Sequence, residues 1–331
     1  TKYMPPVVKT GTMDIFPAAD WHDADVFLKR RGYRPADVAT IGFILFLTLL
    51  IVLNYRRIPH APLFILADWT MVFVLTAWAR FPILSAPAWI RICRQFHPTL
   101  FIPILFGHLV EIIPAVTASD QDARLIQWDL WLLGGDPSVF LQRFHFAPAT
   151  EVLQYVYTLF YFIPLSLAVI LAAKKKYRTY DFYVFMTCYG FFLSYLGYFL
   201  VPAIGPRFTL RAVYTTELQG VWLYPHLVDL INFLESLNRD CFPSGHTMMT
   251  LVTLHAAWRF ERRVFWILLP FGSALVVATV YLRYHYGVDI LAGIAWYLFA
   301  FYTAPAAYNM ALRLVYSRPG NEASRGDQAS L

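Results

Sequence analysis

Asp240-Cys241-Phe242-Pro243-Ser244-Gly245-His246-Thr247 opens a stretch that crosses two apolar segments and closes with Tyr281-Leu282-Arg283-Tyr284-His285-Tyr286-Gly287-Val288-Asp289. If the two segments are antiparallel membrane helices, His246 and His285 meet at one membrane surface. Pro243 to His246 reads as a turn feeding a helix, and a helix start offers backbone N–H groups and a hydroxyl to an anion such as phosphate. His285 and Asp289 are four residues apart, on one helical face, where the carboxylate can accept the imidazole Nδ1–H and fix the tautomer. The Nε2 lone pair is then a nucleophile or base. His246, facing it across a phosphate, can protonate a departing oxygen.

Composition outside this stretch sets the class. The mean hydropathy is +0.50 and only 15% of residues are charged, which indicates a polytopic membrane protein. The net charge of +6 implies no nucleic-acid partner, because the basic residues cluster between apolar segments, where they report topology. Cys93, Cys188 and Cys241 form no pairing framework, so no disulfide is expected. Residues 1–37 contain nothing that reads as a cleavable signal. Within them, Trp21 to Arg34 is read either as a segment lying on the membrane surface or as a basic leader.

A bilayer core needs roughly 20 apolar residues per helix. Spans are expected near 38–55, 62–80, 99–117, 152–172, 181–203, 245–259, 264–282 and 288–312, giving an all-α membrane bundle of about eight transmembrane helices. The expected organisation is an N-terminal segment 1–37, a transmembrane hairpin 38–98, a catalytic membrane domain 99–312 and a tail 313–331, disordered from Ser317. The side holding both termini collects most of the 27 Lys and Arg residues; the other holds only Arg56, Arg57, Arg124, Arg143, Arg207, Arg211, Arg239 and Arg283. The positive-inside rule then puts both termini in the cytoplasm and the histidines on the extracytoplasmic side.

The quoted motifs resemble those of the type-2 phosphatidic acid phosphatase superfamily, membrane enzymes that move phosphoryl groups through a phosphohistidine. Phe242-Pro243-Ser244-Gly245-His246 matches its middle motif, and His285 with Asp289 matches the His-x-x-x-Asp of its last. The resemblance implies His285 as nucleophile, His246 as general acid, Asp289 as orienter and the last six helices as the catalytic bundle. Ala278 and Thr279 stand where the last motif usually has Ser-Arg, and Leu200 stands at the usual Lys of the first. In the first motif only Arg207 of Val201-Pro202-Ala203-Ile204-Gly205-Pro206-Arg207-Phe208 remains to meet a phosphate. A Pro-rich first motif and a last motif with Tyr284 before His285 look like the inositolphosphorylceramide synthase branch.

Other polar residues carry weaker readings. The expected phosphate contacts are Arg207, the Ser244 and Gly245 corner, and Arg283, with Arg211 a poorer partner for Arg207. Asp68, His108 and Glu111 lie inside spans, which marks function or internal pairing. His108 and Glu111 share a face and are read as a pair, with a headgroup or proton role as the alternative. No metal site is expected there, since no third ligand stands at a convincing spacing. Asp129 and Asp136, in the loop 118–151, are read as turn-stabilising, or as ligands of a polyol headgroup. That loop, continuing as an amphipathic stretch through Phe146, is expected to wall the lipid entrance. Tyr155, Tyr157 and Tyr161 are read as packing, His255 as a hydrogen-bonded helix residue, Lys174 to Lys176 with Arg178 as a topological anchor, and His226 to Leu237 as a surface helix able to gate access.

The expected function is an integral-membrane phosphotransferase that moves a phospho-headgroup between lipids, phospholipid or ceramide in type, with no cofactor and no metal. A lipid phosphate phosphatase hydrolysing phosphatidic acid or polyprenyl or sphingoid phosphates is the alternative, and a non-catalytic binder of anionic headgroups the third reading.

Overall fold

The computed structural model describes residues 32–80, 86–234 and 239–316. The surface reading of Trp21 to Arg34 falls mostly outside them, as do the tail from Ser317 and the last residues of the predicted surface helix. The described residues form α1 (Pro35–Leu53), α2 (Ala61–Arg80), α3 (Ala88–Phe96), α4 (Pro98–Val116), α5 (Asp122–Leu133), α6 (Pro137–Leu141) and α7 (Ala147–Thr158). These are followed by α8 (Phe162–Ala173), α9 (Tyr177–Leu200), α10 (Pro206–Thr209), α11 (Tyr224–Leu234), α12 (Gly245–Phe260), α13 (Arg262–Tyr281) and α14 (Gly287–Tyr316). Among the described residues there is no strand.

Seven segments are long and apolar enough to cross a membrane: α1, α2, α4, α9, α13, most of α14, and α7 with α8 as one span Ala147–Ala173. Seven of the eight expected spans coincide with them. The remaining one, α12, has 16 residues and falls short in length. Its surroundings explain this: it packs against α8, α9, α13 and α14, and Met248, Met249, Val252, Thr253 and Ala256 are buried along it. A helix enclosed by protein need not match the hydrocarbon thickness. On the outer helices, by contrast, Leu49, Leu63, Phe73, Trp266, Tyr302 and Leu314 are exposed, as lipid-facing positions should be.

The N-terminal hairpin is docked on the bundle. Phe43 of α1 stacks on Phe192 of α9 with ring centroids 4.5 Å apart. At the same end as the N-terminus of α1, Asp37 receives both terminal nitrogens of Arg94 from α3. On α4 the expected His108 and Glu111 pair does not form. His108 Nδ1 lies 3.2 Å from Asp68 Oδ1 on α2, and Glu111 receives His60 instead. Asp68 on α2 and His60 in the turn before it supply closer partners than the next turn of α4.

Candidate active site

The N-terminus of α12 and the turn between α13 and α14 build the site. Ser244 is the N-cap of α12, its Oγ accepting the Thr247 N–H at 3.2 Å, while its own N–H donates to the Asp289 carbonyl at 3.0 Å. The helix start is thereby tied to the start of α14. Gly245 is required by proximity: a Cβ there would sit 2.7 Å from the Tyr198 hydroxyl. The first-turn N–H groups of α12 carry the positive end of the helix dipole, which favours an anion.

The turn 282–286 is shaped by Thr279, the residue standing in place of the family's Arg. Its carbonyl accepts the N–H groups of Tyr284 and His285, both at 2.9 Å, with Arg283 in the left-handed region at φ 66. This reversal brings His285 towards His246, their ring centroids 5.6 Å apart and edge to face. His285 Nδ1 lies 2.7 Å from the Cys241 carbonyl and 3.2 Å from Asp289 Oδ2. Both neighbours are acceptors, so Nδ1 carries the proton and the lone pair of the neutral ring is on Nε2. Burial disfavours the charged ring, yet the Asp289 carboxylate and the Cys241 carbonyl outweigh it and hold His285 above its ordinary pKa. Asp289 Oδ2 also accepts the Tyr286 N–H at 2.7 Å and the Cys241 thiol at 2.9 Å. Its Oδ1 is buried without a hydrogen-bond partner.

His246 is clasped by aromatic rings. It stacks on Tyr157 at 4.5 Å and lies 4.1 Å from Phe160, and Tyr157 stacks in turn on Tyr284 at 4.3 Å. Tyr157, expected as packing alone, is a wall of the site. Tyr161 joins the hydrophobic cluster below it. His255 lies away from the site, with Nδ1 2.7 Å from the Tyr297 hydroxyl, as expected of a hydrogen-bonded helix residue.

Arg207 reaches the site from α10. Its N–H donates to the Arg283 carbonyl at 3.0 Å, its guanidinium lies 5.0 Å above the Tyr284 ring, and Nη1 donates to Asn232 of α11 at 3.0 Å. The predicted surface helix therefore touches the one Arg left in the first motif. The Arg283 guanidinium is directed elsewhere: Nη2 donates to the Thr216 carbonyl at 2.5 Å, and the group lies 3.7 Å above Tyr214. It ties the loop 214–216 to the turn carrying His285. Arg211 is exposed.

Four carboxylates hold these pieces from outside. Asp129 accepts the Gly287 and Val288 N–H groups at 2.9 and 2.7 Å and so caps α14. Burial pushes its pKa up to about 6 against those two donors. Asp129 thus caps a helix distant in sequence rather than its own turn. Asp136 caps α6 through Ser138 N–H at 2.7 Å, the turn-stabilising expectation. Asp122 accepts Ile204 and Gly205 N–H at 3.0 and 2.9 Å and the Tyr286 hydroxyl at 2.8 Å. Gly205 has φ +91, and a Cβ on it would meet the Tyr284 carbonyl at 2.9 Å, so this anchor demands glycine. Glu151 accepts four backbone N–H groups, from Val221 to Tyr224, at the start of α11. Asp122, Glu151 and Cys241 went unread as site-building residues. A Cys two residues before the motif proline was the one local hint, and the two carboxylates had none.

Cys241, His285 and Asp289 offer ligand atoms all within 4.8 Å of one another, a spacing a metal ion could bridge. The donor set fits a proton better. The Nδ1–H satisfies the Cys241 carbonyl, and coordination through Nδ1 would remove that hydrogen and leave the carbonyl without its donor.

A cavity of about 420 Å³ opens on Gly245, His246, Tyr198 and Asp240. A family model described as the PAP2 superfamily matches residues 123–303, from α5 into α14. No curated protein and no solved structure matches the chain.

Proposed function

The chain belongs to the PAP2 superfamily, and from that premise we propose that it transfers a phospho-headgroup between membrane lipids through a phosphohistidine on His285. Its members are phosphatases or phosphotransferases, and an integral-membrane member acts on lipid substrates. The observation that carries the reading is the clamp on His285 Nδ1 by the Cys241 carbonyl and Asp289. It leaves Nε2 as the lone-pair nitrogen, on the ring that faces His246.

In the proposed cycle Nε2 attacks the phosphorus of the donor, the bond to the leaving oxygen breaks, and His246 gives that oxygen a proton. Arg207 and the first N–H groups of α12, capped by Ser244 at Gly245, hold the phosphoryl oxygens as charge develops on them. An acceptor hydroxyl then loses its proton to His246 and attacks phosphorus, and the P–N bond breaks. Asp289 keeps the imidazole oriented and stabilises its positive charge. The near-complete burial of both rings supports an acceptor other than water, as do the motifs resembling the inositolphosphorylceramide synthase branch. The bias of Lys and Arg supports cytoplasmic termini and an extracytoplasmic site.

The test uses purified protein with phospholipid donors and inositol, ceramide or diacylglycerol as acceptors, following free phosphate and lipid products together. Acceptor-dependent formation of a new phospholipid is expected. Phosphate release indifferent to acceptor makes the protein a lipid phosphatase, and absence of an acid-labile phosphoprotein overturns the covalent route. For orientation, an impermeant thiol reagent added to intact cells should label Arg211→Cys and spare the exposed native Cys93; the reverse pattern inverts the topology.

A further inference from the structure

The cavity that opens on His246 is far deeper than a phosphate requires. Its wall includes Tyr180, Val184, Thr187, Phe191, Tyr195 and Tyr198, which recur at three- and four-residue steps and therefore form one continuous face of α9. Tyr180 stands in the first turn of that helix and Tyr198 in the last, a separation of roughly 27 Å at about 1.5 Å per residue. One leaflet of hydrocarbon is roughly 15 Å deep, half of the bilayer core. The space that begins at the site thus passes the bilayer midplane and approaches the opposite surface, where Gln95 and Phe96 line it.

The wall is apolar despite its tyrosines. The hydroxyl of Tyr180 donates to the Gln95 carbonyl at 2.6 Å, that of Tyr183 to the Pro164 carbonyl at 3.0 Å, and that of Tyr195 to the Ile102 carbonyl at 3.3 Å. Each hydroxyl is thus satisfied by the protein backbone, which suits hydrocarbon better than a headgroup or a water file. The rim between α4 and α8 includes Pro103 and Phe162, both exposed on the outer face of the bundle. A tail can enter sideways from the lipid.

We propose that this cavity seats the hydrocarbon tail of the phosphate donor and selects donors whose tail is longer than one leaflet. The proposal rests on the reading that His246 and His285 handle the phosphate, because that fixes which end of the cavity holds the headgroup. With the phosphate at His246, an ordinary leaflet-length tail ends near Thr187, and only a longer one fills the space from Val184 to Tyr180.

The test compares decyl, hexadecyl and docosyl phosphate as donors for the full chain in detergent. kcat/KM should rise at least about tenfold from hexadecyl to docosyl as the far half fills. Val184→Trp should abolish that rise while leaving decyl phosphate within about twofold of wild type. Equal rates for hexadecyl and docosyl phosphate in the wild-type protein overturn the proposal. Because the Trp variant can misfold, a second measurement uses wild-type protein and docosylphosphonate carrying a terminal diazirine, whose P–C bond resists cleavage. Crosslinks are expected at Thr99, Tyr180 or Val184; crosslinks confined to Tyr195, Tyr198 and α11, or none in the bundle, overturn it. Crosslinking at Val184 with no turnover of any alkyl phosphate leaves the tail seat standing and rejects the phosphotransfer reading. Turnover without chain-length dependence does the opposite.

Discussion

Two buried carboxylates, at opposite ends of the bundle, are held in contrasting ways. Asp37 is saturated: Oδ1 accepts Arg94 Nη1 at 2.6 Å, and Oδ2 accepts Arg94 Nη2 and the Arg34 N–H. Its nitrogen partners are the Arg94 guanidinium, a permanent cation that binds both oxygens in one plane, and the buried His97 imidazole, whose Nε2 lies 3.2 Å from Oδ1. Asp289 gathers three donors on Oδ2 and leaves Oδ1 buried without one. Its partner is an imidazole, which can lose or share its charge. The first arrangement fixes a charge state and docks the N-terminal hairpin, whereas the second keeps a nitrogen lone pair available next to an open cavity. Burial, a short distance and an imidazole are common to both, so none of these marks chemistry by itself; what differs is that Asp37 also holds a permanent cation, whereas the imidazole beside Asp289 faces a second histidine and a cavity.

Removing the partner nitrogen tests that contrast most severely. His285→Ala should lower turnover at least about 10⁴-fold with the fold retained, read by product formation and by the thermal unfolding midpoint in detergent. Arg94→Met should do the reverse, costing about 3–5 kcal/mol of stability by stranding the Asp37 charge, with activity per folded molecule unchanged. Replacing Asp37 by Leu as well should restore much of that stability; no apolar pair at 285 and 289 should restore turnover. Arg207→Lys, which keeps the charge and loses the planar fork, should reduce kcat/KM about 100-fold. Near-normal activity would remove Arg207 from the site.

Smaller effects concern protons and metals. His285 is held above its ordinary pKa and must be neutral to attack, so kcat/KM should fall as pH drops through a value above about 6.5. Asp289→Asn withdraws the charge that raises it and should move that acidic limb to lower pH while reducing the maximum rate. A limb that stays in place would show that another group sets it. Chelation by EDTA should change turnover by less than about twofold, since the Cys241, His285 and Asp289 cluster is satisfied by a proton; loss of activity restored by a divalent ion would turn that cluster into a metal centre.

The last motif was legible because its geometry is local. Only four residues separate His285 from Asp289; His285 lies in the turn before α14 rather than on the helix, and the spacing is short enough for Nδ1 to reach the carboxylate from there. The cap at Ser244 and the two-histidine meeting followed from a turn, a helix start and the pairing of two apolar segments. The Arg94 and Asp37 pair, 57 positions apart, had no such signal. Nor had Asp122, which holds Gly205 and Tyr286 from 83 and 164 positions away. For His108 only the same-helix neighbour Glu111 is visible in a sequence, and Asp68 on α2 is the partner the fold brings to it.

The sequence by itself determined the membrane bundle, all but one of its spans at full length, and the residues of the last two motifs, because hydropathy and helical periodicity act over a few turns. Tertiary structure alone decided that α12 is enclosed rather than lipid-facing, that Arg283 serves the 214–216 loop, that Tyr157 walls the site, and that an apolar cavity runs on from His246 through the bundle. Each of these depends on which helix lies beside which, and the energy that selects those neighbours comes from close packing and hydrogen bonding between residues far apart in the chain.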